Sequence, residues 1–258
     1  MKELQKVLSR VRQAVQHYGM IQKGDRIAVG VSGGKDSMVL LYALSEMRRF
    51  YPEPYEVVAV TVDMGFGGDD FEGRFAPVSR FCEGLGVELH VVHTEIARIV
   101  FEERREENPC SLCAMLRRGA LNNTCGELGC GKLALGHHKD DVVETFMMNL
   151  MHEGRIGCFE PVTEYSNIGL TVIRPLCYTE ERMIKALVTA AKVPVAESIC
   201  PEDGHTEREV MHDFLMSFER EHRGTYRRMF GALERRGIDG WYEEKPHGEE
   251  ETAETENK

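Results

Sequence analysis

The chain has 258 residues, 42% hydrophobic and 29% charged, enough to bury a sizeable core as one large domain or two small ones. No apolar run approaches the roughly 18–20 residues of a membrane span, and the opening MKELQKVLSRVRQAVQHYG lacks the apolar block of a secretory signal; a cytoplasmic protein with no membrane partner is expected. The net charge of −11 argues against a uniformly basic surface, but much of it sits in residues 243–258, EEKPHGEEETAETENK, which read as a disordered acidic tail.

An amphipathic helix is predicted over residues 2–18, ahead of the apolar run RIAVGV at 26–31. A helical pattern at 36–49 follows, then EVVAVTV at 56–62, a helix at 73–84, VELHVV at 87–92 and a helix at 112–128. KLALG at 132–136, a helix at 140–151, TVIR at 171–174 and a helix at 179–192 complete the alternation, with Thr179 as the expected N-cap of the last. Most of the runs are near-continuously apolar, as parallel strands covered on both faces require. The expected fold is a doubly wound α/β domain with a mainly parallel five-stranded sheet. Residues 1–20 form its N-terminal helix, 21–200 the sheet domain, and 201–242 two C-terminal helices broken near Gly224.

The stretch GVSGGKDSMVLLYAL at 30–44 runs from a strand through Ser-Gly-Gly-Lys-Asp-Ser into a helix. Ligands in parallel sheets bind at the carboxyl ends of strands, and free N–H groups at a helix start attract anions. Gly33 and Gly34 allow close approach of the backbone to oxyanions, and the hydroxyls of Ser32 and Ser37 can donate to phosphate. The carboxylate of Asp36 repels phosphate unless a cation lies between them, which points to Mg²⁺. The string is neither G-x-x-x-x-G-K-[ST] nor G-x-G-x-x-G. Paired carboxylates recur at GHHKDDVVET (136–145), where Asp140, Asp141 and Glu144 share one side of a helix start; helix capping is the other role open to Asp140 and Asp141.

Eight cysteines in a chain of this kind do not read as a disulfide framework. Cys110 and Cys113, in NPCSLCAMLRRG, lie at i and i+3 at a helix start, where nearby N–H groups are expected to favour thiolates. This C-x-x-C is compatible with a metal, a redox pair or packing. On an unbroken helix Cys125 lies about 18 Å from Cys113 at 1.5 Å per residue, too far for a shared metal. Cys82, Cys125, Cys130, Cys158 and Cys177 are expected to be buried thiols, whereas Cys200, in the polar loop AESICPEDGHTERE, can fold back over the sheet edge. Three thiolates at one site suit a [4Fe-4S] cluster with one open iron.

The loop SGGKDS resembles the PP-loop of the N-type ATP pyrophosphatase superfamily. Together with CSLCAMLRRG, LALGHHKDDVVET, RPL at 174–176 and the lone CP at 200–201, it resembles the tRNA 2-thiocytidine synthetase family over residues 20–240. The resemblance implies an adenine-nucleotide α-hydrolase-like fold. ATP would be held by Ser32, Gly33, Gly34, Lys35, Asp36, Ser37, Val60, Asp63, Gly136, His137 and Asp141. It implies a cluster on Cys110, Cys113 and Cys200, magnesium on Asp36 and Asp141, and catalytic roles for Asp36, Ser37, Asp141 and Cys113. Lys35 and Arg174 are possible phosphate contacts, and Arg117 and Arg118 possible RNA contacts. Other tRNA thiolases carry extra C-x-x-C pairs near both termini; their absence here favours the cytidine branch. The implied reaction adenylates an anticodon-loop cytidine and replaces its oxygen with sulfur from sulfide or a cysteine desulfurase, in a homodimer. A different adenylating enzyme on the same scaffold, or a nucleotide-binding redox or zinc protein, are the alternatives.

Overall fold

Successive residues of β1 (Arg26–Gly30) go to opposite faces of the sheet, and both faces are covered. Ile27 and Val29 join one apolar cluster with Leu40, Leu41 and Leu44; Ala28 joins another with Leu121, Cys125 and Leu133. β2 (Glu56–Asp63) repeats the pattern, with Val57 and Ala59 on the first side and Val58 and Val60 on the second. Two-sided burial is why these strands read as unbroken apolar runs. The computed structural model describes residues 2–66, 70–105, 109–202, 204 and 206–242, so the acidic tail expected at 243–258 lies outside the described residues.

Among the described residues the sheet has six strands in the order β3-β2-β1-β4-β6-β5. The others are β3 (Leu89–His93), β4 (Lys132–Ala134), β5 (Val162–Tyr165) and β6 (Leu170–Ile173). β1 pairs in parallel with both β2 and β4, and β4 pairs in parallel with β6. The order reverses beside β1, which makes its carboxyl end the switch point where ligands bind. The five-stranded expectation is corrected by β5, an antiparallel edge strand joined to β6 by a hairpin. Its sequence, VTEY, is half polar because one side of an edge strand needs no covering.

The helices are α1 (Lys2–His17), α2 (Lys35–Met47), α3 (Phe71–Leu85), α4 (Pro109–Glu127), α5 (Lys139–His152), α6 (Glu181–Ala191), α7 (Glu207–Glu221) and α8 (Thr225–Arg236). A π-helical turn, Arg98–Arg104, precedes α4 and was not expected. α1 packs on α2 and α6, while α7 and α8 pack on α5. The chain then returns to the sheet: fully buried Trp241 donates from Nε1 to the Phe159 carbonyl at 2.8 Å, and Tyr242 donates to the His17 carbonyl at 3.0 Å.

Thr179 does not cap α6. It is fully buried, its carbonyl accepts the Lys139 N–H at 3.0 Å, and the N-cap position falls to Glu180. The capping acceptor comes from another helix: Asp140 Oδ2 takes the Glu181 N–H at 2.9 Å. This bond ties the start of α5 to the start of α6. Asp140→Ala should therefore lower unfolding stability by about 1 kcal/mol, the usual worth of a helix cap, read as a lower urea midpoint at unchanged slope. Unchanged stability would show that the bond contributes nothing.

Candidate active site

The Ser-Gly-Gly loop is held by its own hydroxyls. Ser37 Oγ donates to the Gly34 carbonyl at 2.9 Å and accepts the Ser32 N–H at 3.2 Å; the Ser32 and Ser37 hydroxyls lie 3.1 Å apart. Gly34 is the N-cap of α2 and offers no side chain to the first turn, so these N–H groups remain for an anion. Gly33 has φ +84°, and a Cβ there would stand 2.7 Å from the Ala196 Cβ. The end of β4 presses on the same loop: a Cβ on Gly136 would lie 3.0 Å from the Ser37 nitrogen. Gly33 is set by conformation and contact, Gly136 by contact.

A cavity of about 730 Å³ opens over this junction, lined by Ser32, Asp36, Ser37, Gly136, His137 and Asp141, with four arginines, Arg117, Arg118, Arg174 and Arg208, on its walls. A second cavity, about 300 Å³, is lined by Asp63, Phe71, Phe75, Cys110, Cys113 and Cys200. Ser32, Ala114 and Arg117 line both. The nucleotide loop and the proposed cysteine ligands thus share a wall.

The charges around the loop are mutually compensated. His138 is buried, with its ring nitrogens 3.2 Å from Asp141, 3.6 Å from Asp140 and 3.8 Å from Asp36. Burial works against its imidazolium, but these carboxylates outweigh it and push the pKa up to about 9. For His137, burial and then Arg174 push the pKa down to about 3, so this ring is neutral. Asp141 accepts the His138 N–H at 2.9 Å through Oδ2 and an Arg208 Nη1–H at 2.8 Å through Oδ1. Burial would raise its pKa, yet the neighbouring His138 imidazolium and Arg208, with the His138 N–H bond, hold it below the ordinary carboxylate value. Asp36 is raised, chiefly by burial; its Oδ2 meets Lys35 at 3.0 Å, while Oδ1 is buried with no hydrogen-bond partner.

Most of the residues expected at the site gather here, with exceptions. Val60 is fully buried in the core, and its carbonyl accepts the Val31 N–H at 2.8 Å; Val62, two residues on, lines the smaller cavity instead. Lys35 forms ion pairs with Asp36 at 3.0 Å and Glu181 at 3.1 Å. Asp63 accepts the Gly65 N–H and meets His93 Nδ1, each at 3.0 Å. Arg174 donates to Thr163 Oγ1 at 3.1 Å and lies 4.9 Å from the Phe159 ring centre. Arg208 and Phe159 were not anticipated. For Arg208 the sequence held a signal: T-E-R-E is a capping box, with Thr206 accepting the Glu209 N–H, and it places Arg208 in the first turn of α7.

Cys110 and Cys113 do not have lowered pKa values. Burial, then Cys200, pushes both thiols up, so the thiolate-favouring N–H groups expected at the helix start are outweighed. Among the described residues no three His, Cys, Asp or Glu side chains are drawn into metal-ligating positions. The donor chemistry still fits a cluster, because three thiols face one cavity and bound iron would offset the charge that burial and mutual repulsion oppose. The other five cysteines are buried, as expected. Gly33→Ala should cost about 1–2 kcal/mol from its left-handed backbone, move the Ala196 segment, and weaken ATP binding at least tenfold by calorimetry. Wild-type affinity would show that the loop does not need this close approach.

Residues 3–219 match the PP-loop domain family. The tRNA-cytidine(32) 2-sulfurtransferase of Geobacter sulfurreducens is 40% identical over 231 residues, covering 88% of each chain. The enzyme of the same name from Pseudomonas putida is 37% identical, over 90% of this chain and 84% of its own. Among solved structures, the U34-tRNA thiolase NcsA from Methanococcus maripaludis, with its [4Fe-4S] cluster, superposes with a TM-score of 0.72 at 28% identity, over 88% of this chain and 77% of its own. The glycine loop, the paired carboxylates and this similarity along nearly the whole chain agree: the protein belongs to the PP-loop family, alongside the tRNA-cytidine(32) 2-sulfurtransferases.

Proposed function

We propose that the protein is an ATP-dependent tRNA thiolase that converts an anticodon-loop cytidine to 2-thiocytidine. The observation that carries this reading is the shared wall of the two cavities, where Ser32, Ala114 and Arg117 face both the nucleotide loop and the cysteine trio. The carbonyl oxygen on C2 of the ring is a poor leaving group until it is adenylated. In the proposed reaction O2 of cytidine attacks the α-phosphorus of ATP and pyrophosphate departs. Sulfide, as HS⁻, then adds at C2, the C2–O bond breaks, AMP leaves with the original oxygen, and loss of the sulfur-bound proton gives the thiocarbonyl with no change of oxidation state.

The chain's own groups have defined parts in this scheme. The Ser32–Ser37 loop and the uncapped start of α2 hold the β- and γ-phosphates. Arg117 and Arg174 supply positive charge where negative charge develops at the α-phosphate. His137, neutral and buried, can offer a hydrogen-bond donor and an acceptor without adding charge beside Asp141. Asp36, with its unpartnered Oδ1, is the carboxylate that would hold Mg²⁺, which when bound offsets phosphate charge. Both oxygens of Asp141 already have partners, so its part is to orient His138 and Arg208. A [4Fe-4S] cluster on Cys110, Cys113 and Cys200 would supply the site that presents sulfur.

The proposal extends to sulfide or a cysteine desulfurase as sulfur source, a cytoplasmic setting and a homodimer. No described helix is long and apolar enough to cross a membrane. Val210, Phe214 and Phe218, four residues apart on α7, are the exposed apolar side chains that a dimer contact would cover.

Anaerobic reconstitution with ATP, sulfide and bulk tRNA, followed by nucleoside mass analysis, should yield 2-thiocytidine. Consumption of ATP with a different thiolated nucleoside would move the protein to another substrate. Ser37→Ala should lower pyrophosphate release by about 100-fold, the scale of one lost transition-state donor, while iron and acid-labile sulfide stay at wild-type content. Cys200→Ala should do the reverse, losing iron and sulfide while still binding ATP. Normal iron content in that variant would remove Cys200 from the ligand set.

A further inference from the structure

Cys200 lies between α6 and α7, and the chain on both sides of it is bonded to the nucleotide cavity. Before it, the Ala196 N–H donates to the Gly33 carbonyl at 2.9 Å, at the point where Gly33 has no room for a side chain. After it, Arg208 donates through Nη1 to Asp141 Oδ1 at 2.8 Å and through Nη2 to Thr145 Oγ1 at 3.1 Å. The Thr206–Glu209 capping box fixes the start of α7, so Arg208 cannot shift without moving that helix end. Arg208 and Asp141 line the larger cavity, while Cys200 lines the smaller one.

We propose that Arg208 is a positioning residue that couples nucleotide occupancy to the placement of Cys200. A guanidinium has five N–H donors, and the two observed bonds leave donors for a phosphate oxygen in the cavity it lines. A bound triphosphate would give the same group a further anionic partner and hold the α7 end of the Cys200 segment more firmly. The Gly33–Ala196 bond holds the other end against the loop that cradles the phosphates. By linkage, fixing Cys200 strengthens nucleotide binding by the same factor. The enzyme would then present its third thiol in register when ATP is in place. This inference rests on the ATP and thiol reading of the two cavities given above.

The test uses the full-length, reduced, iron-free chain, so that thiol reactivity reports position without any turnover. Iodoacetamide alkylation of Cys110, Cys113 and Cys200 is followed by peptide mass spectrometry, with and without a saturating ATP analogue that cannot be cleaved at the α-phosphorus. In the wild type the analogue should slow Cys200 by about fivefold, the scale of one partly exposed charged pair, with smaller changes at Cys110 and Cys113. In Arg208→Gln the nucleotide-free rate at Cys200 should rise and the analogue should no longer slow it. Arg208→Lys should recover part of the effect. Asp141→Asn, which loosens the same contact from its other side, should reproduce Arg208→Gln, and the double variant should add nothing. Equal slowing of all three thiols in wild type and Arg208→Gln would mean simple shielding by nucleotide and would overturn the coupling. An analogue that binds yet leaves Cys200 unchanged would overturn it too, whereas a wild type that binds no analogue would overturn the ATP reading itself.

Discussion

The site depends on how closely three chain segments approach one another at the carboxyl edge of the sheet. Gly33 lies against Ala196, and Gly136 lies against the backbone of Ser37; at neither point is there space for a Cβ. Protein interiors transmit such contacts because they are packed like solids. The loop after β1 is therefore gripped from the β4 side and from the Cys200 side at once. Its N–H groups keep one orientation, and the first turn of α2 is aimed at a fixed point. A phosphate loop held in this way needs little reordering when an anion arrives, which spares affinity the entropy of loop ordering.

Close packing also concentrates charge, and the electrostatics follow from it. Asp36, Asp140 and Asp141 converge within ion-pair distance of His138, in a region meant for a polyanion. Unpaired, these carboxylates would repel both one another and phosphate. His138 is held as an imidazolium among them, Arg208 occupies Asp141, and Lys35 occupies Asp36. Of these acceptors, Asp36 Oδ1 is left without a hydrogen-bond partner. The carboxylates thus divide their work: Asp140 caps α6, Asp141 orients two cations, and Asp36 faces the cavity with capacity to spare.

Much of this was legible in the sequence, because strands buried on both faces leave unbroken apolar runs and a phosphate loop leaves glycines and hydroxyls. The apolar runs at 26–31, 56–62 and 132–136 mark the central strands, and the segment SGGKDS marks the nucleotide loop. What stayed hidden is what tertiary contact decides. β5 has no two-sided burial and so no apolar run. Thr179 carries the composition of a cap, but the acceptor for α6 is Asp140, 41 positions away. Val60 belongs to the correct strand and shares a face with Val62, but it lies two residues deeper, where the face is covered by core; Val62, next to the carboxyl end of the strand, reaches the cavity. Raised thiol pKa values at Cys110 and Cys113 reflect burial and then Cys200, neither of which a local reading of C-x-x-C contains.

In the proposed thiolation, the joining of the two cavities follows from the chemistry. An adenylated cytidine is an activated species that water can return to cytidine, with ATP consumed and no sulfur installed. Protection requires that activation and sulfur delivery occupy one enclosed space, so that the nucleobase need not leave between them. Arg117 stands on the common wall, half-buried, its pKa lowered by desolvation even with the Cys113 thiol beside it. In the proposed reaction a cation there would face the departing AMP on one side and an approaching anionic sulfur on the other. Had the thiols lain on the opposite edge of the sheet, the same loop and the same cysteines would describe two unrelated sites; it is their common wall that makes them one.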